Sequence, residues 1–543
     1  MKKIWAIYLA CIVALLVGSS TNSYAADIYI SQNAAGSATG ADCADAFAVS
    51  CFNNSANWGG SVNQIGPGVV VHLCGIITTE LAFQGSGSSN APIELLFEAG
   101  AAVQINPGAD ANGGIGLGSN SNILIDGGAN QPCGWNTAKN SSEGSCNGKI
   151  ENMLYGSSDA VCPSGLCTIQ AASGVGNLIQ GSGSNIEIRN LEAGPSYVHT
   201  ATGNSGNDTH GTGGIADTNG SNWNIHDCKL HDAGWYATFT VSAGTVSGIT
   251  LKNNEIYNSA SMIPLAGSGS AILNGVTIAG NYTHDMANWQ TTSDTWHSEA
   301  IHFYGTGVTA SNLLIYNNIF AGNTGQNITA ELYAEQFARI TNLVVFNNLF
   351  TASQGASIWV DQCNSGCYFY NNTMANSATN GTGFHAGNGS YVLDATIENN
   401  IMEQSFTLFY VDDTLASLSP LNYNAYGPNG GYPWVYNGSA STSLSAWQGA
   451  SGEGVNSLYN SSSLGLAASF VPNLGAPVIG VGLNICASNP SFCNSYPAIM
   501  NDLAGNPRPT TGGWDIGAYQ YGSSPANSVA PASPMSLRTI VVQ

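Results

Sequence analysis

Between Trp223 and Asp413 one short alternating strand returns in nearly the same words: WNIHDCKL, ITLKNNEI, VTIAGNYT, LLIYNNIF, LVVFNNLF, CYFYNNTM and ATIENNIM. Alternation places Ile249, Leu251, Ile278, Ile315, Val345, Phe369 and Ile397 on one face. Each strand ends at Asn-Asn or a near relative, and the second Asn (Asn254, Asn281, Asn318, Asn348, Asn372, Asn400) recurs every 24 to 37 residues. Such a period predicts a solenoid. Parallel coils stacked about 4.8 Å apart bury each apolar row against the next and let the Asn amides bond along the stack. A β-sandwich alternates similarly but gives no reason for the recurrent corner, so the expectation is an all-β chain wound as a parallel β-helix.

A second strand follows each corner, read as YATFTV, SMIPLA, EAIHFYG, TAELYAE, SIWVDQ, GFHAGN and TLFYVDD. With Ile301, Phe303, Leu332, Ile358, Val360 and Phe384 inward, alternation sends His302, Glu331, Tyr333, Trp359, Asp361 and His385 outward. They form one ridge over four coils, flanked by Glu299 and Glu335. The expanded loop between Asn281 and Glu299 carries Trp289, Trp296 and His297 toward it. Rings stack on pyranose faces and acids bond hydroxyls, and two acids on neighbouring coils suit glycoside hydrolysis. The candidate catalytic residues are His297, Glu299, His302, Glu331 and Asp361; the candidate substrate-binding residues are Trp289, Trp296, Tyr333, Trp359 and His385. The bland alternative is a solvated sheet face, on which acids and His are ordinary.

A competing row lies just before the Asn corner, where Arg189, His226 and Lys252 follow one another in a chain poor in basic residues. A cation beside a base suits proton abstraction next to a uronate carboxylate, the chemistry of a lyase. The same row continues as Ala279, Tyr316, Phe346 and Tyr370, which points instead to a covered face whose cations pair with nearby acids.

Composition narrows the classes. Residues 1–25 read as a secretory signal, with Lys2 and Lys3, an apolar run from Ile4 to Val17, and cleavage after Ala25, so a secreted or cell-surface protein is expected. No segment after it is expected to cross a membrane. The formal charge is −22, and losing the two leader lysines takes it to −24, which disfavours nucleic acid and anionic membranes as partners. Cys11 falls in the leader; the other twelve cysteines predict disulfides rather than zinc. Proximity pairs Cys43 with Cys51, Cys133 with Cys146, Cys162 with Cys167, Cys363 with Cys367 and Cys486 with Cys493, leaving Cys74 and an inward Cys228. A calcium ion would have to be held between coils, for instance around Asp361, Glu331 and Glu335.

The strands of residues 26–105, the Asn-corner coils of 106–415 and the end DLAGNPRPTTGGWDIGAYQY (Asp502–Tyr521), within 416–522, together resemble secreted bacterial right-handed parallel β-helix proteins, the pectate-lyase-like superfamily. Residues 523–543 read as a linker-like tail. The resemblance implies capped coils and a spread of functions, from polysaccharide lyases and hydrolases to adhesins. The polygalacturonase-like catalytic set is not assembled: Asp412-Asp413 is a lone pair, and His210-Gly211 lacks the preceding Gly. The expectation is a carbohydrate-active protein that binds and cleaves polysaccharide, with hydrolysis favoured over elimination. The alternative is a non-catalytic surface adhesin or structural solenoid.

Overall fold

Every coil contributes one strand to a fourteen-stranded sheet that starts near Ile28–Ser31, Val70–Cys74 and Ile93–Phe97 and ends at Ala416–Asn422. The computed structural model describes residues 27–524 other than 62–63, 106–113, 129–131, 153–176, 197–212, 287–297, 323–327, 336, 352, 376–380, 390 and 413–415. The leader, the tail from residue 525 on, Trp289, Trp296, His297, Cys162 and Cys167 therefore lie outside the described residues. A second sheet takes two strands from most coils, a short one past the Asn corner, such as Leu349–Thr351, and a longer one, such as Ala356–Val360. Pairing between coils is parallel and in register throughout the central stack, as in Val276 opposite Leu313 and Leu343. The protein is a parallel β-helix.

Alternation explains the interior. Ile249, Leu251, Ile278, Ile315, Val345, Phe369 and Ile397 are fully buried in one continuous core with Ile301, Leu332, Ile358 and Phe384 of the second sheet. Burying such a side chain contributes about 1.5–3 kcal/mol. Among the described residues no helix is long and apolar enough to cross a membrane.

The corners are joined by side chains. Asn318 accepts from the backbone N–H and the amide of Asn281, and donates to the Ile278 carbonyl and to Asn348 Oδ1, all at 2.9–3.0 Å. The same pattern runs from Asn254 to Asn424, one coil further than the recurrent words suggest. Cys228, buried at the equivalent corner, ends the ladder on one side by donating its N–H to Asn254. On the other, Asn424 meets Ser457 and the buried Glu453. The helix Leu444–Ser451 covers this end and brings Trp447 onto Glu453.

The first residue of each pair has a different task. Asn347, Asn371 and Asn399 adopt left-handed φ of 53–60°, a conformation Asn tolerates better than most residues. Their side chains hold the backbone of the C-terminal segment: Asn347 donates to the Asn501 carbonyl, Asn371 to those of Asp515 and Gly517, and Asn399 to that of Leu483. The segment thus folds back across coils about 150 residues earlier in the chain. It buries Val344, Phe346 and Tyr370 beneath Ile485, Phe492 and Trp514.

Disulfides join Cys133 to Cys146, Cys363 to Cys367 and Cys486 to Cys493, as proximity suggests. Cys43 departs from expectation. It bonds Cys74, 31 residues away, and Cys51 is free. Parallel pairing of Ile28–Ser31 with Val70–Cys74 brings Cys74 beside the turn at Cys43, whereas Cys51 is carried off on the short helix Val49–Phe52.

Candidate functional site

The long strands of the second sheet set one ring per coil in a single outward row. Register places His302 beside Tyr333, Tyr333 beside Trp359, Trp359 beside His385, and His385 beside Tyr410. Ring centroids step 5.3, 4.9, 4.1 and 4.7 Å along the row. That spacing is close to the rise between coils, so the sheet itself stacks the rings. Two residues further along each strand runs a parallel row: Tyr304, Glu335, Asp361, Gly387 and Asp412. Register makes Glu335 and Asp361 neighbours, because the preceding Ala334 and Val360 are paired.

Charge is concentrated between these rows. His302 lies between two carboxylates, its Nδ1 3.2 Å from Glu299 and its Nε2 3.0 Å from Glu335. Burial alone would drive the imidazole toward its neutral form, but Glu299 and Glu335 outweigh it and raise the pKa to about 9. His302 is therefore an imidazolium at neutral pH. Asp361 is buried, accepts from the Asn388 amide at 2.8 Å and lies 3.4 Å from the Tyr333 hydroxyl. Desolvation first, and then the charge of Glu335, push its carboxyl up to about 6. His385, with no charged partner, is pulled down to about 4 by burial and stays neutral. A carboxyl that holds its proton into the mildly acidic range suits a proton donor, and Glu335 sets a second acid beside it.

Glu331 does not join them. Ala300 and Ile301 both face the core, so strict alternation breaks by one residue, and register carries Glu331 level with Ala300 and Ser357. It is fully buried, and desolvation raises its pKa well above the carboxylate range, only partly countered by Ser357. The outward placement expected for Glu331 is thus overturned, and Asp361, although it reaches the Tyr333 hydroxyl, is as fully buried as Glu331, as is Glu299, expected to flank the ridge. Glu335, expected only as a flank, stands on the ridge instead. Asn388, Tyr410 and Asp412 were not among the candidate site residues, Asp412 having been noted only as half of a lone acid pair. The pattern ring-x-acid, in Tyr333-Ala334-Glu335, Trp359-Val360-Asp361 and Tyr410-Val411-Asp412, was the available signal. Among the described residues no three His, Cys, Asp or Glu side chains are grouped to hold a metal ion.

The competing basic row is assembled in register, with Asp126 beside Arg189, then His226 and Lys252. Arg189 is paired with Asp126 at 2.7 Å and Glu187 at 3.0 Å, and His226 with Asp227 at 2.6 Å and Glu187 at 3.2 Å. These two cations are held by acids, and the row further on lies beneath the C-terminal segment.

No family model matches the chain, and no curated protein matches it in sequence. Several solved structures are similar in fold, among them these two. The pectate lyase Pel9A shares 14% identity at a TM-score of 0.41, over 91% of this chain and 96% of that one. PfbA, a surface adhesin of Streptococcus pneumoniae, shares 12% at 0.36, over 68% of this chain and 85% of that one.

Proposed function

We propose that this protein binds a polysaccharide along the ring row from His302 to Tyr410 and cleaves it by hydrolysis beside Glu335 and Asp361. The observation that carries this reading is the adjacency of a stacked ring row to two neighbouring acids, one of which, Asp361, is pushed up to about 6 by burial and by the charge of Glu335. In this reading the Asp361 carboxyl gives its proton to the leaving glycosidic oxygen. Glu335 acts on the opposite side as base or nucleophile, with His302 and Glu299 fixing its orientation. The pairing of Arg189 and His226 with acids supports hydrolysis at the ridge over elimination at the basic row.

The test is a panel of neutral and acidic polysaccharides incubated with the wild type, Asp361→Asn and Glu335→Gln. The reading expects new reducing ends without ultraviolet absorbance from unsaturated uronates, and loss of cleavage with retained binding in both variants. Absorbance would indicate elimination. Binding with no cleavage by the wild type would leave the protein an adhesin.

A further inference from the structure

Charge is divided unevenly between the two sheets. From residue 253 to 507, the stretch that builds every coil of the ring row, the chain holds fourteen acids and a single Lys or Arg, Arg339. Arg339 opens the strand Arg339–Phe346 of the fourteen-stranded sheet, not a strand of the ridge. The cations nearer the amino terminus lie elsewhere too. Arg189 and Lys252 belong to that same first sheet. Lys149 and Lys229 sit level with the short strands, where they pair with Glu192 and Glu255. The long strands of the ring row, Glu299–Thr306, Ala330–Ala334, Ala356–Val360, Thr382–Ala386 and Thr407–Val411, contain neither Lys nor Arg.

On the ridge itself the sign is negative. His302 supplies positive charge there, but it is held between Glu299 at 3.2 Å and Glu335 at 3.0 Å. Asp361 follows Glu335 on the next coil, and the exposed Asp412 ends the same row. Toward the amino terminus the ring row passes into uncharged residues: Pro264 beside His302, then, coil by coil, Thr238, Ala216, Gln180, Gly116 and Ala82. A cavity of about 490 Å3 lies at that far end, where Glu80, Asn177, Gln180, Ser182 and Thr218 offer carboxylate, amide and hydroxyl groups but no cation.

A polymer with a carboxylate on every unit would set several like charges against this row. Like charges a few ångströms apart repel, and here no Lys or Arg offsets the repulsion. A neutral chain meets no such opposition: its ring faces lie on aromatic side chains, and its hydroxyls bond amides and carboxylates. We propose, on the reading of the ring row as the binding surface, that the polysaccharide taken by the ridge is neutral, a chain of uncharged sugar units. The acids that suit this site to hydrolysis thereby also exclude polyanions from it.

The experiment is calorimetric titration of the full mature chain at neutral pH with three groups of polymers, with reducing ends read in parallel. The groups are neutral glucan, galactan, mannan and xylan; polygalacturonate and alginate, with and without calcium; and the carboxymethyl derivative of whichever neutral polymer binds. A neutral polymer should bind, and its carboxymethyl derivative should bind at least about tenfold more weakly in low salt. That gap should narrow in molar salt, where the screening length falls to about 3 Å. Asp412→Lys should raise affinity for the derivative at least about threefold over any change for its neutral parent. Binding of a neutral polymer without cleavage would uphold the proposal and remove hydrolysis. Tighter binding or cleavage of a polyuronate, with or without calcium, would overturn the proposal while leaving a carbohydrate-active site. A derivative that binds as well as its parent, or that gains nothing from Asp412→Lys, would overturn it as well, and binding to neither class would overturn both readings.

Discussion

Arg508 donates to Asn347 Oδ1 at 2.8 Å across 161 residues of chain. The guanidinium is fully enclosed, also reaches the carbonyls of Gly517 and Ala518, and is held down to about 10 by burial despite Asp502 and Asp515. It ties the ending DLAGNPRPTTGGWDIGAYQY to the middle of the solenoid. Replacing it with Met strands several buried acceptors, and Arg508→Met should cost about 3 kcal/mol or more. Chemical denaturation should show a lowered midpoint; an unchanged one would mean that the segment docks through apolar contacts alone.

The disulfide of Cys43 gives a sharper contrast. Closing a loop of 31 residues is worth about 3–4 kcal/mol, so Cys74→Ser should destabilise the amino-terminal coils by that order. Cys51→Ser should be close to neutral. Thiol labelling of the unfolded, unreduced chain should modify Cys51 and leave Cys43 and Cys74 untouched.

Proton binding sets the pH dependence of stability. Burial raises Asp361 to about 6, and Asp217, Glu398 and Glu403 each to about 7. Their contribution is complete below the ordinary carboxylate range and is lost as pH rises through 6–7. His226, His231 and His302, pulled down by burial but raised more strongly by acids to about 9, contribute fully below roughly pH 6.5 and lose that contribution as pH climbs through 9. Glu192 works the other way: held at about 2, chiefly by His231, it contributes above the usual range and loses that as pH falls. Melting temperatures measured from pH 3 to 10 should therefore peak at roughly pH 4–5 and decline steadily toward pH 9. A plateau from pH 5 to 9 would contradict the protonation states assigned here.

Along the ring row, Trp359 touches both neighbours, 4.9 Å from Tyr333 and 4.1 Å from His385. Trp359→Ala should weaken polysaccharide binding about three- to tenfold while leaving the stack folded. Affinity electrophoresis with whichever polysaccharide the wild type retains would measure it. Equal retardation of wild type and variant would remove the ring row from the binding surface.

How much of this was legible in the residues differs by level. The inward rows and the Asn ladder are periodic, and periodicity is what a sequence displays best. The ring row followed from the same alternation, since Ile301, Leu332, Ile358 and Phe384 are unambiguous about the interior. Glu331 was misplaced because strict alternation was carried through a strand where two consecutive residues face inward. Nothing local marks such a break. The partner of Cys43 and the docking of the first-position Asn side chains depend on contacts 31 and about 150 residues away, which spacing along the chain does not encode.

The fold-back of the C-terminal segment also determines how the molecule carries load. A tension applied at the tail beyond Tyr521 reaches Arg508, Asn371 and Asn347 before it reaches the last coils, so it enters the solenoid at its waist. The coils from Asn400 to Ser457 meet the segment through apolar contacts of Ile516 with Ile401 and Ala425. Their ladder would be peeled rung by rung only after the clasp had torn free, and a protein tethered by its tail would resist as a sheared patch rather than as an unravelling thread.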